Sequence, residues 1–222
     1  MNEEINLQKV LKENEQLRKE NQYLKRLLTK MMHNENVTEP NKIITKKSTM
    51  VEKLQLFKSL FKGRTDVYSL RWESSNGSSG YTPACAFEWQ KPICQKPQIR
   101  CSQCQNRKLL PLTDQVIYDH LSGKHVIGIY PKLSDGTCWF LAVDFDKRQW
   151  QQEVIAFLKT CVQLKVPYYV ERSRSGNGAH VWIFFSSPVL AATARKLGMS
   201  LLMKTKENFY AFKLESFDRL FP

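Results

Sequence analysis

Hydrophobic positions change their period several times along the chain. Between residues 5 and 31 they recur in heptads, with Leu7, Asn14, Asn21 and Leu28 at position a and Val10, Leu17, Leu24 and Met31 at position d. Glu13 and Glu20 at g face Arg18 and Lys25 at e of a parallel partner, and asparagine at a favours two strands in register. The spacing predicts a parallel, homodimeric coiled coil over residues 1–35, with its seam at 5–31. The next stretch, HNENVTEPNKIITKKS, is polar and carries one proline, which predicts a linker over 36–49 and a folded body over 50–222.

The body opens with an amphipathic helix from Met50 to Phe61, followed by an alternating strand, VYSLRW, and a flexible loop, SSNGSSG, at 74–80. Further on, CWFLAVDF (138–145) reads as a strand and WQQEVIAFLKTCVQL (150–164) as an amphipathic helix. PYYVERS (167–173) and HVWIFF (180–185) read as strands joined by the SGNG turn at 175–178. Ser187 and Pro188 signal the start of a helix that runs to about residue 205. The order β-α-β-β-α predicts an α+β fold, a ferredoxin-like or RNA-recognition-like split βαβ sheet that lacks its last strand.

Charge changes the picture of what this body meets. The net charge is +13, yet residues 1–40 carry seven basic and seven acidic side chains; the excess lies in residues 41–222, with 27 basic against 14 acidic. A body this basic suits a polyanion, nucleic acid first. No run of roughly 18 apolar residues occurs, so no membrane-spanning helix is expected. The N-terminus MNEEINLQKV is acidic and polar, unlike a secretory signal, and the expected location is the reducing cytoplasm. Disulfide scaffolds are thereby disfavoured.

In that compartment the cluster Cys85, Cys94, Cys101 and Cys104 reads as a ligand set for Zn²⁺. The CxxC pair can reach one ion through a tight turn, and two further sulfurs within about twenty residues complete a tetrahedron. A loop over 85–104 with prolines at 92 and 97 and few apolar residues would gain its order from such a metal. Cys138 and Cys161 fall in a strand and a helix and are expected to be packed thiols.

The second chemical signal is LAVDFD. Alternation along the strand puts Asp144 and Asp146 on one face, about 7 Å apart along the chain. In a split βαβ sheet the third strand runs beside the first, so His180, at its start, arrives next to the two carboxylates. A carboxylate pair of this kind suits Mg²⁺ or Mn²⁺ with oxygen ligands. In ERSRSGNGAHVW the turn residues Ser175 and Gly176, flanked by Arg172 and Arg174, could hold a phosphate through backbone N–H groups and guanidinium forks.

DxD followed by SGxGxH at a strand start resembles the archaeo-eukaryotic primase superfamily. The longer segments LFKSLFKGRTDVYSLRW, GYTPAC, GIYPKLSDGTCWFLAVDFD, ERSRSGNGAHVWIFF and SFDRLFP resemble the primase domain of the TOTE conflict systems over about residues 52–222. The resemblance implies a primase-polymerase palm that joins nucleotides on a DNA or RNA template, from nucleoside triphosphates, in defence against mobile elements. Asp144 and Asp146 would bind the catalytic metals, His180 the incoming triphosphate, with Arg172, Arg174, Ser175 and Gly176 assisting. Asp218, after Phe217, would be the third metal ligand. Helicase and nuclease partners are implied because the larger family members carry such regions. Two alternatives remain at this point. One is an RNA-recognition-like binding module on a dimerising stalk, stacking bases on Trp139, Phe145, Trp182 and Phe184. The other is an inactive remnant, supported by the expected loss of the last strand.

Overall fold

A computed structural model describes residues 43–222 together with Glu15, Arg18, Lys19 and Gln22. The chain divides into two compact units, Met1–Lys46 and Lys47–Pro222. In the first, the four described residues before residue 43 are helical and exposed, and Lys19 pairs with Glu15 one turn away at 3.1 Å. The a and d positions of the predicted heptads lie outside the described residues.

The second unit begins with α1 (Met50–Leu60). Its start is fixed by a capping box: Thr49 Oγ1 accepts from Glu52 N–H, and Glu52 Oε2 accepts from Thr49 N–H. Two antiparallel strands follow, β1 (Ser69–Glu73) and β2 (Ser79–Pro83). The loop expected at 74–80 is therefore a hairpin. Ser74 N–H donates to Ser78 C=O at 2.8 Å, Asn76 Oδ1 accepts from Ser78 N–H, and Gly77 takes φ +82°. After α2 (Asp114–Leu121), capped by Thr113, the short strand β3 (Ile127–Gly128) joins the other edge of β1. This small sheet has the order β2-β1-β3.

The main sheet holds β4 (Thr137–Asp146), β5 (Tyr169–Arg172), β6 (Gly178–Leu190) and β7 (Phe217–Phe221), in the order β5-β6-β4-β7. Helices α3 (Trp150–Gln163) and α4 (Ala191–Asn208) supply the crossovers. With all neighbours antiparallel, this is the complete βαββαβ arrangement. The expectation of a missing last strand is corrected by β7, which pairs with β4 through Ala142↔Phe221, Val143↔Leu220 and Asp144↔Arg219. The last helix also starts later than expected. Ser187 and Pro188 lie in β6, because Cys138↔Val189 and Thr137↔Leu190 extend the ladder to Leu190. Proline is tolerated there since the ladder is interrupted between Cys138↔Val189 and Phe140↔Phe184, where its missing N–H removes no bond.

Period-two alternation gives the main sheet two different faces. Leu141, Val143, Phe145, Ala179, Val181, Ile183 and Leu220 pack with Val154, Phe157 and Cys161 of α3 and with Leu201 and Leu202 of α4. Each fully buried side chain of this size contributes roughly 1.5–3 kcal/mol. Where the two helices meet, Thr205 Oγ1 donates to Thr160 Oγ1 at 2.9 Å, which satisfies both buried hydroxyls. On the opposite face, Phe61 covers Phe140, Trp182 and Phe184, with ring centroids 6.0, 5.0 and 5.6 Å away. That cover stops short of the far end of β4, where Asp144 and Asp146 stand.

Candidate active site

Four register partners cross the main sheet in one row: Glu171 on β5, His180 on β6, Asp144 on β4 and Arg219 on β7. Register partners share a face, so acid and base alternate across the row. His180 Nε2 lies 3.6 Å from Asp144 Oδ1, and His180 Nδ1 lies 3.4 Å from Glu171 Oε2. Trp182 Nε1 donates to the same Glu171 oxygen at 3.0 Å. Arg219 Nε is 4.0 Å from Asp144 Oδ2.

Asp218 joins this row through a β-bulge. Asp144 pairs with Arg219 and the next residue, Phe145, pairs with Phe217, so Asp218 is the extra residue on β7. A bulge turns two successive side chains toward one region, and here Arg219 Nε reaches Asp218 Oδ2 at 2.5 Å as well as facing Asp144. Asp146 lies one alternation beyond Asp144, opposite Gly178. A Cβ on Gly178 would stand 2.5 Å from Phe145 O and 2.7 Å from Asp146 Oδ1, so only glycine admits this approach of the hairpin to the carboxylate. Immediately after Asp146 the chain leaves the sheet through two left-handed residues, Lys147 (φ +73°) and Gln149 (φ +64°).

The electrostatics follow from this crowding. Burial pushes the Asp144 carboxyl above the usual range; the neighbouring His180 opposes that, while the charges of Asp146 and Asp218 add to it. The hydrogen bond to Glu171 raises His180 above the ordinary imidazole value against the effect of burial, and Asp144 adds to the rise. The same bond holds Glu171 below the usual carboxylate range. Asp144, Asp146, Asp218 and His180, all expected from the sequence, are thus brought together at one end of the sheet.

Around the turn, expectation and structure differ in detail. Asn177–Gly178 does not reverse the chain. Gly176, at φ +77°, closes a turn in which its N–H donates to Ser173 C=O and Ser173 N–H donates to Gly178 C=O, both at 2.9 Å. Arg172 Nε donates to Gly176 C=O at 3.0 Å, and Arg174 pairs with Glu73 of β1 at 2.7 Å. Ser175 Oγ accepts from Asn177 N–H at 3.3 Å. Both arginines therefore begin from internal partners rather than from an open phosphate cradle. Glu171 and Arg219 were not singled out from the sequence. Glu171 was accessible, because a hairpin reversing near Ser175–Gly176 puts it opposite His180. Arg219 was not, because its placement needs the β4–β7 pairing.

Cys85, Cys94, Cys101 and Cys104 all line one cavity beside Phe87, Ile93 and Ile99, and none forms a disulfide. Lys108 N–H donates to Cys85 Sγ at 3.3 Å, and Cys104 N–H closes the CxxC turn on Cys101 C=O at 3.4 Å. Lys96 Nζ reaches both Thr82 Oγ1 and Glu88, and that hydroxyl is 3.6 Å from Cys101 Sγ. Among the described residues, however, no group of three or more His, Cys, Asp or Glu side chains is gathered so as to hold a metal ion, in this cavity or at the carboxylates. Cys138 and Cys161 are buried, as expected.

The chain is thus of the mixed α+β class, with a complete βαββαβ sheet and acids at the end of that sheet's first strand. A sequence model of the family described as "TOTE conflict system, Archaeo-Eukaryotic Primase domain" matches residues 52–222, and the chain belongs to that family. Membership points to a primase-like nucleotidyltransferase of a conflict system. No curated protein matches the chain. Among the described residues no helix is long and apolar enough to cross a membrane.

Proposed function

We propose that this chain is a template-directed primase-polymerase of a conflict system, acting in the cytoplasm on DNA or RNA templates with nucleoside triphosphates. The main support is the convergence of Asp144, Asp146, Asp218 and His180 at one sheet end in a chain of this family. Three hard carboxylate oxygens suit Mg²⁺ or Mn²⁺ by donor chemistry, and Asp144, Asp146 and Asp218 would hold it. Bound there, a divalent ion would polarise the α-phosphate and favour ionisation of the attacking hydroxyl. His180 would donate to the triphosphate, aided by the N–H groups and side chains of Arg172, Arg174, Ser175 and Gly176 as the turn opens its internal bonds. The basic body would hold the template backbone.

The binding-module alternative has less support. Trp182 and Phe184 are packed beneath Phe61, Trp182 also bonds Glu171, and Phe145 is fully buried in the helix-side core. Lys62 Nζ covers the Trp139 ring at 3.9 Å. Those aromatics do not form an open base-stacking face. The remnant alternative relied on an absent last strand, and β7 is present.

Two further assignments complete the proposal. The four-thiol donor set, with backbone N–H donation to Cys85 and a lysine nearby to balance thiolate charge, suits a structural Zn²⁺. The heptads over 5–31 make the chain a parallel homodimer, and helicase or nuclease activities would come from partner chains. To test the enzyme, a template oligonucleotide and labelled nucleotides with Mn²⁺ are offered to the native chain and to Asp144→Ala/Asp146→Ala. Product from the native chain alone supports the proposal; no native product with retained DNA binding refutes it. For the dimer, crosslinking should fall sharply when residues 1–35 are removed, and equal crosslinking would refute the coiled coil.

A further inference from the structure

We propose that Glu171 is a positioning residue for His180, fixing which edge of the imidazole faces Asp144. The contact stands on geometry alone; its consequence for nucleotide binding rests on the nucleotidyl-transfer proposal above. Glu171 lies on β5, the edge strand of the main sheet, between exposed neighbours Val170 and Arg172. A carboxylate on such a strand can point freely into water. This one instead collects two donors on a single oxygen, Trp182 Nε1 at 3.0 Å and His180 Nδ1 at 3.4 Å.

The anchor itself is firm. Trp182 is held edge-on by Phe61 at 5.0 Å and by Phe140 at 5.6 Å, and it braces the His180 ring at 5.8 Å. The acid is therefore set by an indole that cannot swing away, and the imidazole is set by the acid. With Nδ1 engaged on Glu171, Nε2 is the nitrogen left to face Asp144 Oδ1, at 3.6 Å. Which imidazole edge faces outward is decided by the bond that the other edge makes, and with both nitrogens protonated the outward Nε2–H is a donor. A ring aimed before the substrate arrives has no reorientation to undergo on binding, which is how a preorganised donor favours a developing or incoming anion. Glu171 touches no reacting atom in this arrangement and acts only through His180.

Two readouts on the full chain test the assignment. The first is ¹⁵N NMR of the imidazoles without added divalent metal, with His180 assigned by His180→Ala. In the native chain Nδ1 should carry a proton hydrogen-bonded to Glu171 while Nε2 is protonated as well, as donation to an anion requires, and Glu171→Ala should remove the hydrogen-bonded Nδ1 proton signal. Identical His180 signals in the two chains would overturn the proposal. The second is a double-mutant cycle on nucleotide binding. Glu171→Ala should raise KM for the nucleoside triphosphate about tenfold, the size of one hydrogen bond to a charged group, with kcat nearly unchanged. Glu171→Gln, which keeps an acceptor, should recover most of that loss. In a His180→Ala background Glu171→Ala should do nothing further, whereas equal losses in both backgrounds would mean an independent role and overturn the proposal. If the native chain makes no product and binds no non-hydrolysable triphosphate, the nucleotidyl-transfer proposal fails, and the ring spectra alone still decide whether Glu171 sets His180.

Discussion

Glu153→Gln is expected to destabilise this protein out of proportion to the one atom it changes. Glu153 lies on α3, is only 3% exposed, and uses both carboxylate oxygens to hold the segment that leads into β7. Oε1 accepts from Lys213 N–H at 2.9 Å and Glu215 N–H at 3.2 Å; Oε2 accepts from Ser216 N–H at 3.0 Å and from the Ser216 hydroxyl. An amide presents one oxygen and one NH₂ in place of two acceptors. With its NH₂ at the Oε1 position the amide faces two backbone N–H donors, and with it at the Oε2 position it faces the Ser216 N–H while the Ser216 hydroxyl can turn to accept. Hydrogen bonds to a charged group contribute about 1.5–3 kcal/mol each, and the loop can relax in part, so a loss of roughly 2–4 kcal/mol is expected. For a unit of this size that corresponds to a fall of about 5–15 °C in Tm.

The pH dependence adds a second check. Burial works to raise the Glu153 carboxyl, but the bonds from Ser216, Lys213 and Glu215 outweigh it, and the folded value lies below the ordinary 4.5. A folded value below the unfolded one means that the contribution is complete above the unfolded value and disappears as pH falls through the folded one. Native and variant stabilities should therefore converge in acid. All five tryptophans lie in the second unit, so urea unfolding followed by their fluorescence reports on it. A midpoint change worth less than about 0.5 kcal/mol near pH 7 would refute the clamp, as would a loss that does not shrink in acid.

Gly178→Ala should cost about 1–3 kcal/mol and abolish nucleotide joining, because its Cβ would meet Phe145 O at 2.5 Å and Asp146 Oδ1 at 2.7 Å; unchanged unfolding and activity would show that the hairpin is free to shift. Cys101→Ser should lower the zinc content measured by elemental analysis of the purified chain and loosen the 85–104 loop to limited proteolysis; unchanged zinc would refute that ligand set.

What was legible in the sequence divides along physical lines. β4, α3 and the hairpin strands could be read because each is an apolar run or amphipathic period bounded by turn residues, which is local information. The meeting of Asp144, Asp146 and His180 followed from strand order alone. β7 was missed because FDRLF is short and its alternation is broken by the bulge at Asp218, so its strand character exists only in pairing with β4. β2 was missed because SGYTP carries little apolar alternation and is held by Ser69↔Pro83 through Glu73↔Ser79. The aromatic face looked open in the sequence because no local pattern tells which sheet α1 will cover. Phe61 could be seen to lie on an apolar stripe, but not to end over Trp182. The CxxC spacing named a donor set without saying whether its four sulfurs close on one point.

The row Glu171–His180–Asp144–Arg219 explains how a strand end can carry so much acid. Asp144 is only 16% exposed in its side chain and feels two further carboxylates, so it needs positive neighbours in order to stay ionised. It has two, and they are held very differently. His180, 31% exposed, is fixed through Glu171 to a packed indole. Arg219, 60% exposed, is held by ion pairs to Asp144 and Asp218, which in such exposure contribute at most about 1 kcal/mol. On the proposed function, a divalent cation arriving at the carboxylates would displace the guanidinium at little cost, while the imidazole would stay where it is. The bulge that brings Asp218 to the site brings its provisional counter-ion with it, one residue later in the same strand.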